Sequence, residues 1–489
     1  MITSVALFMV ALDNLVVTTA LPVIKHDLGA SLAGLEWTVN AYTLTYAVLL
    51  LTGAALGDRY GRRRVFVIGI GIFVGGSAAA ALAPSIAMLI VARAVQGVGG
   101  AIVTPLTLTI MSAAMPRERR GLALGAQGGV SGLGVAIGPL VGGAVVQGLS
   151  WQWIFWINVP IGLVLLPLAI VWLKQTTGPR VSLDLPGLGL ASAGLSGIVL
   201  GLVRGSEHGW TSFGVVGWLI GGSGLLIAFV VRELTAPAPM VPMRFFRDWP
   251  FSGANLTSLL LFFGLFGSVF LLAQFFQIVQ GYTPLQAGLR ILPWTAAPIL
   301  VAPIAGIMSD RIGSRPLLVS GMALMSAGLA WLAAITTPTV GYVDMVTPFV
   351  LAGVGMSLMF APISNVVLSS VTREEEGKAS GVNNTIREVG GVFGVAVLAT
   401  VFAAKGSYLS PQAFVDGLTA AVWVGAAVVG LGALAALTVP GRRRPESQRD
   451  QPPTANEPTA TETHQAGHVR PCRPPAQPRT IRHHGGLDE

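Results

Sequence analysis

Fourteen times along the chain, roughly twenty apolar residues run together with scarcely a charge among them, and that pattern constrains the fold more than any motif. A segment of this length spans the hydrocarbon core of a bilayer as a helix. The stretches are 2–24, 37–56, 65–83, 86–113, 121–147, 152–173, 185–203, 213–231, 251–279, 285–308, 316–335, 345–370, 379–404 and 414–438. Inside lipid every backbone N–H and C=O must be satisfied within the segment, so repeated spans predict an all-α membrane protein. The composition agrees: 11% charged residues against the ~25% of ordinary soluble domains, with 53% hydrophobic. The first span begins almost at Met1 with no basic stretch ahead of it and no evident small-residue cleavage site, so it is expected to be retained rather than removed as a signal peptide. Beyond Pro440 the sequence "GRRRPESQRDQPPTANEPTATETHQ" has no apolar period and is expected to be a disordered tail.

The net charge of +8 does not call for nucleic acid. If the N-terminus is cytoplasmic, every inside loop carries two or more Arg or Lys, as in Arg59, Arg62, Arg63 and Arg64. The outside loops carry only Lys25, Arg204 and Lys405. That asymmetry orients the chain with both termini inside and an even span count, and it places the arginines against an anionic inner leaflet. The one cysteine, Cys472, lies in the tail, so no internal disulfide or redox pair exists. The six histidines show no metal-ligand spacing within a span, and no metal or cofactor is expected. Neither a nucleotide-binding loop nor a G-x-S-x-G or H-E-x-x-H pattern is present, so no enzymatic activity is expected. Arginine far outnumbers lysine and Ala and Gly abound, a bias of GC-rich bacterial genomes, which points to a bacterial plasma (inner) membrane.

The two ends of the chain repeat one another. "GDRYGRRR" (57–64) follows the second span and "SDRIGSRP" (309–316) the tenth, with Asp58, Arg59 and Gly61 at one constant spacing from Asp310, Arg311 and Gly313. A second register aligns "PRERRGLALG" (116–125) with "TREEEGKASG" (372–381), and in it Gly97, Gly99, Gly134 and Gly138 meet Gly353, Gly355, Gly390 and Gly394. Spans 1–6 therefore resemble spans 9–14, and spans 7 and 8 belong to neither copy. Two six-helix halves with a central site between them are the plan of alternating-access transporters.

At these residues the chain resembles the major facilitator superfamily, and more narrowly its fourteen-span drug:proton antiporters of the EmrB/QacA type. "LDNLVVTTALP" is similar to the first-span motif, "GDRYGRRR" to the loop signature G-D-R-x-G-R-R, and "RAVQGVGGA" (93–101) to the fourth-span R-x-x-Q-G. "GVAIGPLVGG" (134–143) resembles the fifth-span motif that marks exporters. "WQWIFWINVPIG" (151–162) resembles the sixth-span entrance, with Gln152 where the family usually carries Arg. The resemblance implies the major facilitator fold in fourteen transmembrane helices arranged 6 + 2 + 6 with two pseudo-symmetric halves. The implied units are an N-terminal bundle (1–173), two inserted helices and a cytoplasmic linker (174–250), a C-terminal bundle (251–440) and a cytoplasmic tail (441–489). It also implies proton-driven multidrug or antibiotic export without a cofactor, by a protein working as a monomer, with small drug-like molecules, protons and the lipid bilayer as its partners and no nucleic acid.

Polar residues inside such spans are candidates for function. A charge at the bilayer centre costs at least ~2.5–3.5 kcal/mol, so Asp13 and Glu388 call for an explanation, and a water-accessible cavity between the halves would supply one. Arg93 lies about 10 Å from the outer end of span 4. It cannot lose its proton, and a carboxylate it tunes is its expected partner. Burial raises the pKa of a carboxylate and a nearby arginine lowers it, so a cavity opening alternately to either side can load a proton outside and release it inside. Asp13 is the first choice for the coupling acid and Glu388 the second, with Arg93 the fixed cation. An organic cation would be drawn to the same carboxylate and to aromatic faces, and would compete there with the proton. Asn40, Tyr42, Gln96, Gln127, Asn255, Gln274, Gln277, Asn365 and Asn384 are candidates to line the cavity, or else to tie helices together. Gly57, Asp58, Arg59, Gly61, Arg62 and Arg63 form the conformational latch, and Gly134, Gly138, Pro139, Gly142 and Gly143 the exporter helix, which in the family packs on the opposite half. Arg290 is expected to snorkel. An uptake symporter of the same fold, and a membrane sensor or scaffold without transport, are the competing readings.

Overall fold

The computed structural model describes residues 2–114, 133–134, 137–177, 184–237, 239–372 and 375–441. Most of the expected fifth span, Gln127 within it, and the tail beyond 441 lie outside the described residues. Numbered in chain order, the helices are α1 (Ile2–Leu28), α2 (Leu32–Tyr60), α3 (Arg62–Ala81) and α4 (Ile86–Ala114). Then come α5 (Ile137–Gly148) and α6, in two segments Trp153–Trp156 and Asn158–Trp172. α7 (Leu185–His208) and α8 (Phe213–Thr235) follow, and α9 runs Trp249–Gln274 and continues as a π-helical turn, Phe275–Val279. α10 has two segments, Pro284–Thr295 and Ala297–Ile312; α11 (Ser314–Ile335), α12 (Tyr342–Ser369), α13 (Glu376–Lys405) and α14 (Pro411–Ala436) complete the set. Among the described residues thirteen helices are long and apolar enough to cross a membrane, α5 is a shorter apolar one, and no strand is present.

Local chemistry sets the helix ends. Ser31, Asp184, Ser212, Thr283 and Ser410 each turn a side-chain oxygen onto the third residue's N–H, satisfying a donor the helix leaves orphaned. Thr283 and Gln286 complete a reciprocal capping box. The sixth span stays helical through Ile157, which bonds back to the Trp153 carbonyl, while the tenth, one apolar run in sequence, is interrupted. α10 divides at Ala296, flanked by Pro293 and Pro298, whose missing N–H groups weaken the ladder there.

The sequence repeat reappears in the backbone. Gly61, between α2 and α3, has φ +103°, and Gly313, between α10 and α11, has φ +89°. Each donates its N–H four residues back, to Gly57 and Ser309. An L side chain rarely adopts that conformation, so glycine is needed at both turns. The matched glycines also meet matched neighbours. A Cβ on Gly99 would run into Phe73 of α3, and one on Gly355 into Gly321 and Met325 of α11; Gly97 abuts α2 as Gly353 abuts α10. Gly134 and Gly138 lie against α1, and Gly390 and Gly394 against α9. With no hydrophobic drive between helices in lipid, such small-residue contacts let the helices pack.

α7 and α8 form a hairpin outside this pattern. α7 packs on both α2 and α13: Ala191, Val199 and Val203 share one buried cluster with Leu44, Val48, Val392 and Ala396, and Thr400 donates to the Leu202 carbonyl. Only 11% of α8's apolar stretch is buried, against 83% for α9. α8 therefore presents an apolar surface, with Phe213, Ile220, Ile227 and Leu234 exposed, of the kind lipid covers.

Candidate functional site

α1 is the helix on which the site is built, because two consecutive polar residues project from it in different directions. Asp13 is fully buried and points into the bundle formed by α1–α6. Its carboxylate accepts from Arg93 Nη1 at 2.5 Å, Gln96 Nε2 at 2.8 Å and Asn158 Nδ2 at 3.0 Å. Arg93, 1% exposed, also donates to Gln96 Oε1 at 2.7 Å and the Thr38 carbonyl at 3.2 Å, and its guanidinium lies 4.2 Å above the Tyr42 ring. Asn158 and Gln96 both donate to Ser77 Oγ, which donates to the Phe155 carbonyl. A buried ion pair is stable only when its remaining lone pairs and protons find partners, and this network supplies them from α2, α3, α4 and α6.

The sequence paired Asp13 with a cavity between the halves. The structure differs: Asp13 faces its own bundle, and the next residue, Asn14, faces the other half, where it lies beside Glu388 of α13. The two residues diverge by about 100° around the helix, which separates the roles that the sequence assigned to one place. Arg387, beside Glu388, donates to Asn384 Oδ1 at 3.2 Å and stacks 4.3 Å over the Phe262 ring.

The other candidates fall into separate places. Gln96 belongs to the Asp13 network. Tyr42 underlies Arg93 and donates to the Val10 carbonyl. Asn40 is fully buried, and neither atom of its amide has a partner among the described residues. Asn255 accepts from Asn383 at 3.0 Å and donates to the Phe251 carbonyl, tying α9 to α13. Asn365 donates to Ser309, tying α12 to α10. Gln277 reaches from α9 to the Thr19 carbonyl on α1 at 2.8 Å, and Gln274 accepts from the Tyr408 hydroxyl at 2.6 Å. Burial, and then the charge of Glu36, push the Tyr408 phenol up, so it stays a proton donor. Lys25 of α1 sits 2.9 Å from the centre of the Tyr408 ring. Arg290 does not reach out alone: its guanidinium lies 3.4 Å over Tyr282, with Tyr342 beyond it.

Gly134, Gly138 and Gly142 all turn toward α1, within their own half. The opposite half meets a different face of α5: a Cβ on Gly143 would fall 2.7 Å from Leu285 Cα, and one on Gly288 2.8 Å from the Pro139 carbonyl carbon. Together with Gln277–Thr19 and Lys25–Tyr408, these contacts join the halves at the end away from the arginine-rich turns. At the arginine-rich end Asp58 accepts from Arg62 at 2.8 Å, and Arg63 caps the carbonyls of Ile170 and Leu173 at the end of α6. Arg59 lies over Tyr60.

Ser77, Asn158 and Glu36 were not singled out in the sequence. Asn158 carried a signal, the amide in the apolar run "WINVP". Ser77 in "GGSAAA" carried none.

Residues 3–395 and 294–477 match the Major Facilitator Superfamily. The chain belongs to that superfamily of membrane transporters. It is 38% identical over 405 residues to the cephamycin export protein CmcT of Amycolatopsis lactamdurans, which covers 81% of this chain and 82% of that protein. It is 34% identical over 416 residues to the tetracenomycin C resistance and export protein of Streptomyces glaucescens, over 84% and 77% of the two chains. The multidrug resistance protein Stp of Mycobacterium tuberculosis is 36% identical over 404 residues, over 82% and 75%. Among solved structures the superfamily fold is shared with a D-xylose-proton symporter, at TM-score 0.63 and 14% identity over 89% of this chain and 95% of that one.

Proposed function

We propose that this chain is a proton-coupled exporter of lipophilic small molecules, of the fourteen-span drug:proton antiporter type. Its plan is 6 + 2 + 6: bundles 1–173 and 251–440, an inserted pair with linker at 174–250, and a tail at 441–489. Both termini lie in the cytoplasm of a bacterial cell, on the side the basic loops favour. Relatives named for export and resistance support the direction of transport, as does the Gly138–Pro139–Gly142–Gly143 pattern. The observation that carries the coupling is the buried Asp13–Arg93 pair on a helix that also touches the other half.

The chemistry follows from what Arg93 cannot do. When a proton reaches Asp13 the pair loses its negative partner, while Arg93 keeps its charge. A buried guanidinium without an anion is costly, so the protonated state favours an arrangement in which Arg93 meets water or another acceptor. α1 must shift to allow it. Other faces of α1 meet the second half, at Glu388 beside Asn14 and at Gln277, which donates to the Thr19 carbonyl, so a shift of α1 loosens contacts between the halves. Coupling then runs through α1 instead of through competition for one carboxylate. Asp58–Arg62 and Arg63 at the α6 end act as the latch on the cytoplasmic side.

Membrane vesicles of the two orientations test the direction. Inverted vesicles with an acidified lumen should accumulate a fluorescent lipophilic dye, and right-side-out vesicles should not. Dye uptake by right-side-out vesicles under an inward proton gradient is the symporter's result and would exclude the exporter.

A further inference from the structure

Where α1, α9 and α13 meet, polar atoms that ought to be satisfied are left open. Asn14 of α1 and Glu388 of α13 lie side by side across the halves. Yet among the described residues Asn14 Oδ1, Glu388 Oε2 and Arg387 Nε have no hydrogen-bond partner, although each atom is buried. Native proteins leave few buried polar groups unsatisfied, and each exception asks for a cause. An aromatic wall stands next to them. Arg387 lies on Phe262, whose ring stacks on Phe266 at 5.9 Å and tilts against Phe360 at 6.3 Å. These rings belong to α9 and α12 and the polar atoms to α1 and α13, so the group spans both halves.

We propose that Arg387, Glu388 and Asn14, beside the Phe262–Phe266–Phe360 wall, anchor the polar edge of the exported molecule. They select aromatic compounds that carry a carboxylate or carbonyl oxygen next to a hydroxyl or ammonium donor. The assignment rests on the exporter reading and names its substrate class. The Arg387 Nε–H needs an oxygen acceptor. Asn14 Oδ1 and Glu388 Oε2 need a donor. The rings take a flat apolar body by stacking. A simple aromatic monocation satisfies half of this set: it leaves Arg387 Nε unpaired and places a second cation near the guanidinium. A site whose buried groups are made to bond a substrate rejects the analogue that cannot bond them, because those groups are then left unsatisfied. Arg387 and Glu388 also cancel in charge, so the site offers a permanent cation no net attraction.

The test measures equilibrium binding to the purified full-length protein in detergent, with two probes on one ring system: a hydroxyanthraquinone carboxylate and its quaternary-ammonium analogue. The carboxylate should bind at least about tenfold tighter, the scale of one charge-assisted hydrogen bond. Arg387→Ala should erase the preference. Arg387→Lys, which keeps the charge but loses the planar fork, should retain a few-fold part of it. Gel filtration and thermal unfolding report whether each variant is folded, and the wild-type preference is a test that needs no variant. Equal binding of the two probes by the wild-type protein overturns the proposal, as does a preference that survives Arg387→Ala. Vesicle direction is judged apart: selective binding without efflux would sink the exporter reading and leave the site standing.

Discussion

Two polar clusters meet α1 on different faces, and they are built to different rules. In the N-terminal bundle Asp13 collects three donors, and Arg93 is matched to a carboxylate, an amide and a backbone carbonyl. In the C-terminal half Arg387 and Glu388 are neighbours in sequence that each leave one atom without a partner among the described residues, as Asn14 does across from them. A closed network holds a charge in one geometry, and an open one, on the proposed reading, is completed by a ligand. α1 belongs to both, so in the proposed mechanism proton and cargo share one mechanical element while they bind different carboxylates.

The comparison breaks first on Arg93. Arg93→Ala leaves Asp13 buried with no cation, at a cost of about 3–5 kcal/mol. Thermal unfolding in detergent should show a severely destabilised protein. Arg387→Ala should cost far less, because among the described residues Arg387 makes no salt bridge and only its charge, not a bond, faces Glu388. Equal losses in the two variants would erase the distinction between closed and open clusters.

A smaller effect is expected where the halves touch at the far end. Gly143→Val or Gly288→Val places side-chain atoms where backbone of the opposite half now lies. Either change should leave the bundles folded, prevent that end from closing and reduce transport by about tenfold or more, a barrier change of roughly 1.4 kcal/mol. Cysteines introduced at that end should become more accessible to a water-soluble thiol reagent. Unchanged labelling and transport would mean the contact is incidental.

The smallest effect belongs to Asp58→Asn. The Asp58–Arg62 pair is about a fifth exposed on each side, so its loss should lower stability by no more than about 1 kcal/mol. If it acts as a latch, the variant should alter transport rate more than the unfolding temperature.

Much of the architecture is legible in the sequence because hydropathy is a one-dimensional property. Span positions, the Gly61/Gly313 turns and the glycine repeat need only length, spacing and backbone geometry. Direction is harder. When both sides of a helix face protein, hydropathy does not say whether Asp13 or Asn14 looks toward the other half, and only the positions of α4 and α6 decide it. Gly134, Gly138 and Gly142 announce a close approach without naming the neighbour, which is α1. Ser77 and Asn158 were passed over because a lone polar residue in a span has the same look whether it ties helices or holds an acid. The interruption within α10 is not legible because an apolar run stays continuous across it.

The central claim is that Asp13 couples the proton to movement through α1. Purified Asp13→Asn protein in liposomes tests it most directly, because asparagine fills the same space and cannot carry the proton. The account predicts that drug transport driven by a proton gradient disappears while exchange of labelled for unlabelled drug continues. Gradient-driven transport at the wild-type rate in that variant would contradict it.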